Sequence, residues 1–334
     1  TSALVGIAID QGYIKNENEK VSDYFPEHKN LFDSEWKKEL AIKHLLTMSS
    51  GICSDFGDGE RQLDEMRLKN NSIKYILSQE FVSKPGSEFA YCSCATQLLS
   101  AIVQKATEKT MEEFGKETLL KELEISDYIL TSDKSGYTNG WGDSYWLTSD
   151  LLKIGQLYLQ NGRWNGKQII PEKWVKQSSS EQIRLQGGEE SYGYKWWIPN
   201  QLEGLYEGRG RGDQRLVIFP KENLVVIMTG TGFDPGEVGG YIINALKSKN
   251  PLPENPKAYN LLKEKLIEIK KAPESKMGIT IPALAAKIEG NTFKFEENTF
   301  GLTLFKLFTS NIDKAKLVLG LDISRSEEYG EREI

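Results

Sequence analysis

The chain has 334 residues, 39% of them hydrophobic and 27% charged, with a net charge of -6. That length and composition suit a water-soluble protein with a large core. An acidic balance with mixed charges excludes a basic face for phosphate, so nucleic acid is not expected as a partner. No apolar run reaches the roughly eighteen residues of a membrane-spanning helix.

Thr1 to Gln11 reads as the middle of a helix, with Leu4, Ile7 and Ala8 on one stripe and Gly12 as the stop. A polar segment, Asn16 to Glu39, follows and is broken by Pro26. Ala41 to Met48 reads as a short helix closed by Ser49-Ser50-Gly51, and residues 52–70 as an Asp-, Gly- and Glu-rich loop. Asn71 to Gln79 and Cys94 to Thr107 read as helices; Leu98, Leu99, Ile102, Val103 and Ala106 form a core stripe on the second. Thr110 to Lys121 and Ser149 to Gln160 are further helices, the latter with Ser149 as its cap and Asp150 in its first turn.

The pattern changes after residue 190. Ser191 to Trp197, Gln214 to Phe219 and Asn223 to Thr229 read as strands, the last two joined by a turn at Pro220 to Asn223. Glu237 to Lys249 reads as a helix able to pack back on them. Helices followed by an antiparallel sheet predict an α+β fold. The proline-rich stretch 250–257 is the expected boundary between a main domain, 1–249, and a smaller module, 258–334. That module opens with a charged helix, Ala258 to Lys271. β-like runs follow at Gly278–Ile288, Thr292–Glu296, Thr299–Leu307 and Ala315–Leu321.

Chemistry is constrained by what is scarce. The two histidines, His28 and His44, lie in unlike contexts and no metal-type Cys/His spacing occurs, so no metal and no His-based triad is expected. Cys92 and Cys94 are too close for an ordinary disulfide, and Cys53 has no evident partner in sequence.

Three patterns remain. Ala41 to Gly51 is a helix closed by a glycine. Phe89-Ala-Tyr91-Cys92-Ser93 precedes a core helix. Gly208-Arg-Gly210-Arg211-Gly212-Asp-Gln214 leads into a strand. Together with Gly193-Tyr-Lys-Trp-Trp197, Ser149-Asp-Leu151 and Gly162-Arg-Trp-Asn-Gly166, their order resembles the β-lactamase-related and penicillin-binding-protein-like serine hydrolases over residues 1 to about 250. Within that superfamily the likeness is to the branch of esterases, D-amino-acid peptidases and nylon-oligomer hydrolases. It implies a β-lactamase/transpeptidase-like α+β fold with a small β-rich segment behind it.

The same resemblance implies acyl transfer by a serine assisted by a lysine one helical turn later. In the family that Ser-x-x-Lys pair falls a few residues before the segment matching Thr1–Gly12, so both residues are expected upstream of Thr1. The Ser34-Glu-Trp-Lys37 match lies in the polar connecting region and is read as chance and as surface. Thr1 as an N-terminal nucleophile is disfavoured by the helix-interior character of residues 1–11.

By resemblance Tyr91 is the proton relay, and Ser93 stands where the family usually has Asn. The N–H of Arg211 is the candidate second oxyanion donor. Gly208, Gly210 and Gly212 would let a substrate carbonyl approach the strand. Trp141, with Trp196 and Trp197, could line an apolar acyl pocket, core packing being the default for at least one. The expected partner is a small ester, amide or peptide; no cofactor is implied. The chain alone is expected to be poorly stable or to self-associate, with negligible turnover. The competing reading is a non-catalytic relic or ligand-binding module on the same fold.

Overall fold

A computed structural model describes residues 1–248, 252–271, 283–296, 302–311 and 314–321. The chain divides into two compact units, Thr1–Pro251 and Leu252–Ile334. The first is a helical layer joined to an antiparallel sheet; the second holds helices and a small sheet.

Helix α1, Ser2–Asp10, buries Leu4, Ile7 and Ala8, the stripe read from the sequence, and Val5 beside them. α2, Ile42–Leu46, buries Ile42, Leu45 and Leu46. Its chain then turns at Gly51, whose φ of +74° lies in the left-handed region and where a Cβ would sit 2.0 Å from the Ser83 carbonyl oxygen. Only glycine fits that turn.

The stretch 52–70 is not the open loop expected. It forms two short helices, α3, Asp55–Asp58, and α4, Arg61–Arg67, with Leu63 and Met66 buried. Arg61, Asp64, Arg67 and Lys69 are exposed while Leu63 and Met66 enter the core and Asp55 is buried, a pattern too short to show a period.

α5, Ser93–Thr107, runs through the middle of the layer. Leu98, Leu99, Ile102 and Val103 have no exposed surface, and all four belong to the main core cluster. Truncating one such leucine to alanine costs about 2–5 kcal/mol. α6 spans Thr148–Leu159, so Ser149 lies inside the helix and Leu147 holds the cap position.

The sheet is a six-stranded antiparallel meander, in spatial order β6-β5-β4-β3-β2-β1. Its strands are β1 Ile183–Arg184, β2 Glu190–Tyr192, β3 Trp197–Pro199, β4 Tyr206–Gly210, β5 Gln214–Phe219 and β6 Leu224–Met228. The single strand expected over Ser191–Trp197 is two strands, because the chain bends at Gly193–Trp196. Gly193 would place a Cβ 2.0 Å from the Ser178 carbonyl oxygen, and Lys195 has a φ of +71°. β4, whose glycines give it no alternating pattern, was hidden in the sequence.

Leu216 and Val225 face α6, while Val217 and Val226 face helix α7, Pro235–Ala245, across a groove of about 980 Å³. The second unit carries α8, Pro256–Lys270, and α9, Ala283–Ile288, so the end of the run read as β-like is helical; residues 278–282 lie outside the described residues. Three strands follow: β7 Phe293–Lys294, β8 Leu302–Asn311 and β9 Lys314–Leu321, paired antiparallel in that order.

Candidate active site

Tyr91 sits just ahead of α5, in a stack of aromatic rings. Trp197 lies 5.8 Å from it and Phe56 5.4 Å, both nearly parallel, while Tyr192 meets it edge-on at 6.5 Å. On the other side of the stack the Arg209 guanidinium is 4.6 Å from the Trp197 ring centroid. Arg209 is in turn held by Glu190 and Glu207. Burial, then the charge of Asp55, pushes the Tyr91 hydroxyl up to about 12. A tyrosine so placed stays protonated near neutrality and can donate a hydrogen bond.

The Tyr91 loop is tied to α3 by three bonds. Cys53 and Cys92 form a disulfide. The Asp55 N–H donates to the Tyr91 carbonyl at 2.7 Å, and the Asp55 carboxylate accepts the Ser93 N–H at 2.9 Å. Cys53 therefore has its partner, 39 residues on; Cys94 is buried and takes no part in the disulfide. Cys53, Asp55 and Cys92 cluster as metal ligands would, but with the two sulfurs bonded to each other they do not fit one.

A second group of side chains lies across Met48. The Lys195 ammonium donates to the Thr96 hydroxyl at 2.7 Å and to the Met48 sulfur at 3.3 Å; the Cys92 N–H reaches the same sulfur at 3.5 Å. Met48 and Lys195 both hold left-handed backbone, φ +54° and +71°. For non-glycine residues that conformation costs about 1–3 kcal/mol and clusters at functional sites. Burial draws the Lys195 amine down to about 7, opposed by Asp55.

The first turn of α1 points here too. Thr1 donates its hydroxyl to Gly140 at 2.7 Å, the Gly140 N–H donates to Gln97 at 3.0 Å, and a Cβ on Gly140 would sit 2.7 Å from the Thr96 carbonyl oxygen. With its hydroxyl committed, Thr1 is poorly placed as a nucleophile.

The other sequence candidates fall around this centre. Ser93 starts α5 and is nearly buried. Gly208 lies in β4 opposite Leu216 and Gly210 opposite Gln214. Gly212, φ +72°, closes the hairpin, pinned by the Gln214 amide, which donates to the Gly212 and Gly230 carbonyls at 2.9 Å. Among the described residues Arg211 at the tip uses its N–H in no turn hydrogen bond, and its exposed side chain pairs with Glu60. α3 and the residues just after it thus touch both Tyr91 and the β4–β5 turn.

Trp141 follows Gly140 and lies under the Arg67 guanidinium, 4.9 Å from its ring. Trp196 packs in the core between Tyr158 and Tyr206, away from Tyr91, whereas Trp197 is part of the stack. Ser34 is a helix cap and Lys37 is buried, not surface, donating to the Leu77 carbonyl at 3.1 Å. Its methylenes are covered by the core while the ammonium finds a backbone acceptor.

Sequence reasoning passed over Asp55, Phe56, Thr96 and Lys195. For Lys195 a signal was present: one cation inside the aromatic run Tyr192–Trp197.

The fold is of the β-lactamase-like class: a helical layer against an antiparallel meander, here with a tyrosine ahead of the central helix. The β-lactamase family profile matches residues 1–246, and the chain belongs to that family. It is 27% identical over 158 residues to the 6-aminohexanoate-dimer hydrolase of Paenarthrobacter ureafaciens, covering 44% of this chain and 40% of that protein. It is 30% identical over 148 residues to protein flp of Staphylococcus aureus strain MW2, covering 41% and 29%. The matched stretches thus span less than half of these curated relatives.

Among solved structures, an octameric penicillin-binding protein homologue from Pyrococcus abyssi is similar with a TM-score of 0.60 at 20% identity, covering 95% of this chain and 73% of that one. Simvastatin synthase from Aspergillus terreus gives 0.56 at 16%, covering 70% and 77%. At these identities the likeness is one of fold.

Proposed function

We propose that this chain is the greater part of a serine hydrolase that cleaves an ester or amide bond through an acyl-enzyme. The observation that carries the reading is the convergence on one centre of the first turn of α1, the Lys195–Thr96 pair and the Tyr91 loop. In this reading the nucleophilic serine and its lysine belong to the helical turn ahead of Thr1, so that α1 presents them toward Tyr91. A hydroxyl is a weak nucleophile until a neighbouring base takes its proton, and a serine and a lysine three apart share one helix face.

Tyr91 then relays the proton to the leaving group, its high proton affinity suiting it to act as donor. The N–H of Arg211 completes the oxyanion hole with the nucleophile's own N–H. Gly208, Gly210 and Gly212 leave the strand open to the substrate carbonyl, Ser93 offers a hydrogen bond, and Trp141 walls the acyl pocket. The substrate is a small ester, amide or peptide; the similarity to a 6-aminohexanoate-dimer hydrolase favours an amide, the bond an amine and a carboxyl group form. Residues 1–249 form the hydrolase domain, with 258–334 a separate module behind the 250–257 linker.

The test is fluorophosphonate labelling of the whole natural protein, with the adduct mapped by mass spectrometry. One adduct on a serine preceding Thr1, and slower p-nitrophenyl ester hydrolysis by Tyr91→Phe, are expected. No adduct and no turnover of esters or amides would overturn the reading and leave a ligand-binding module.

A further inference from the structure

Lys195 is a partly buried amine of the centre that the proposed mechanism leaves unused. Its backbone N–H donates to the Leu46 carbonyl at 3.1 Å, which fixes the bend between β2 and β3 against α2. From there the side chain runs inward to Thr96 on α5 and Met48 after α2. The only hydrogen-bond partners of the ammonium among the described residues are a hydroxyl and a thioether, neither of them an anion.

We infer that Lys195 is a second catalytic amine of the acyl-transfer centre, the base that takes a proton from water during hydrolysis of the acyl-enzyme. The inference rests on the serine-hydrolase reading above. Three observations carry it. A lysine in a strained backbone conformation whose ammonium hydrogen-bonds a hydroxyl and a thioether, with the Asp55 charge acting on it from outside that pair, is placed for something other than an ion pair. Its hydrogen bond to Thr96 aims the amine beside the first turn of α1, where the acyl group would hang. Burial also leaves a neutral fraction near pH 7, the form a base needs.

The titratable group facing it is Asp55 at the start of α3, whose charge favours the ammonium; in the serine-hydrolase reading the lysine of the preceding helical turn faces the same centre. Tyr91 lies across Met48 and stays protonated in this range.

The step balances without a further reactant. Water attacks the acyl carbonyl and gives one proton to the neutral Lys195 amine. The tetrahedral intermediate collapses, the bond from the carbonyl carbon to the serine oxygen breaks, and the serine oxygen receives the proton from Lys195. Carboxylic acid, free serine and neutral lysine result. The carbonyl oxygen is stabilised throughout by the oxyanion donors.

The experiment uses the whole protein and p-nitrophenyl acetate, following the steady-state rate and, by intact mass, the acyl-enzyme. Labelling of unaltered protein by the fluorophosphonate is the gate: without it both readings fall, and with it Lys195 is judged alone. Lys195→Met should still label and acetylate. It should then accumulate acetyl-enzyme and lose roughly 100-fold in kcat, together with the rise in rate across pH 6 to 8. Lys195→Arg keeps length and charge but stays protonated, so it should show the same loss; it also serves as the second variant if the methionine protein folds poorly. Either folded variant turning over at the unaltered rate, or keeping the pH 6 to 8 limb, would overturn the inference while leaving the hydrolase reading intact.

Discussion

The Trp197 indole lies almost flat on the Tyr91 ring, 5.8 Å away and tilted by 17°, with its other face under the Arg209 guanidinium. Tyr91 is thereby held by a strand of the sheet as well as by its own loop. Stacking and cation–π contacts of this kind are each worth about 0.5–1.5 kcal/mol beyond the area they bury.

Trp197→Ala should therefore do two things at once. Removing a nearly buried indole costs about 3–5 kcal/mol of folding stability, read from urea unfolding. Hydrolysis by the whole protein should fall further than Trp197→Phe lowers it, because phenylalanine keeps a ring against Tyr91. Equal kcat in the two variants would show that the stack does not position the tyrosine.

The Cys53–Cys92 bond clamps α3 to the Tyr91 loop. Cross-linking shrinks the unfolded ensemble, so Cys53→Ser or full reduction should cost about 2–4 kcal/mol. Both sulfurs are buried, so reduction should be slow until the protein opens. Thermal melts with and without dithiothreitol check this; identical curves on a protein proved reduced by mass would contradict it.

His44 supplies a pH dependence. Burial draws its pKa down to about 4, and its Nδ1 accepts the Ala41 N–H at 3.1 Å, which holds the ring neutral. The unfolded chain binds a proton near pH 6.5 that the folded one refuses, so stability is full above 6.5 and falls as pH drops toward 4. The melting temperature should decline over that window, and His44→Gln should flatten the decline. A histidine Cε1 proton titrating near 6.5 in the folded protein would sink the prediction.

Gly51 is a site where one methyl group should matter. A Cβ there meets the Ser83 carbonyl at 2.0 Å with φ at +74°. Gly51→Ala is expected to lose more than about 2 kcal/mol, whereas Gly12→Ala, with open space around it, should lose less. Soluble yield and denaturant midpoint of the two proteins make the comparison.

Some of this was legible without coordinates. The stripe Leu98, Leu99, Ile102 and Val103 announced the central helix, and Val217 to Phe219 with Val225 to Met228 announced a hairpin, because both are local periodicities of burial. Tyr91 stood out only through the family resemblance of Phe89 to Ser93 ahead of that helix. Short elements were less readable: α3 and α4 have too few turns to show a period, and β4, Tyr206–Gly210, is masked by its glycines.

By itself the sequence determined the longer helices and strands and the net acidic charge, since each depends on composition or on neighbours along the chain. Only the tertiary structure decided that Cys53 pairs with Cys92, that Asp55 receives the Ser93 N–H and that Lys195 meets Thr96. Those partners are 38 to 99 residues apart, and no local pattern encodes a contact that the packing of the whole core brings about.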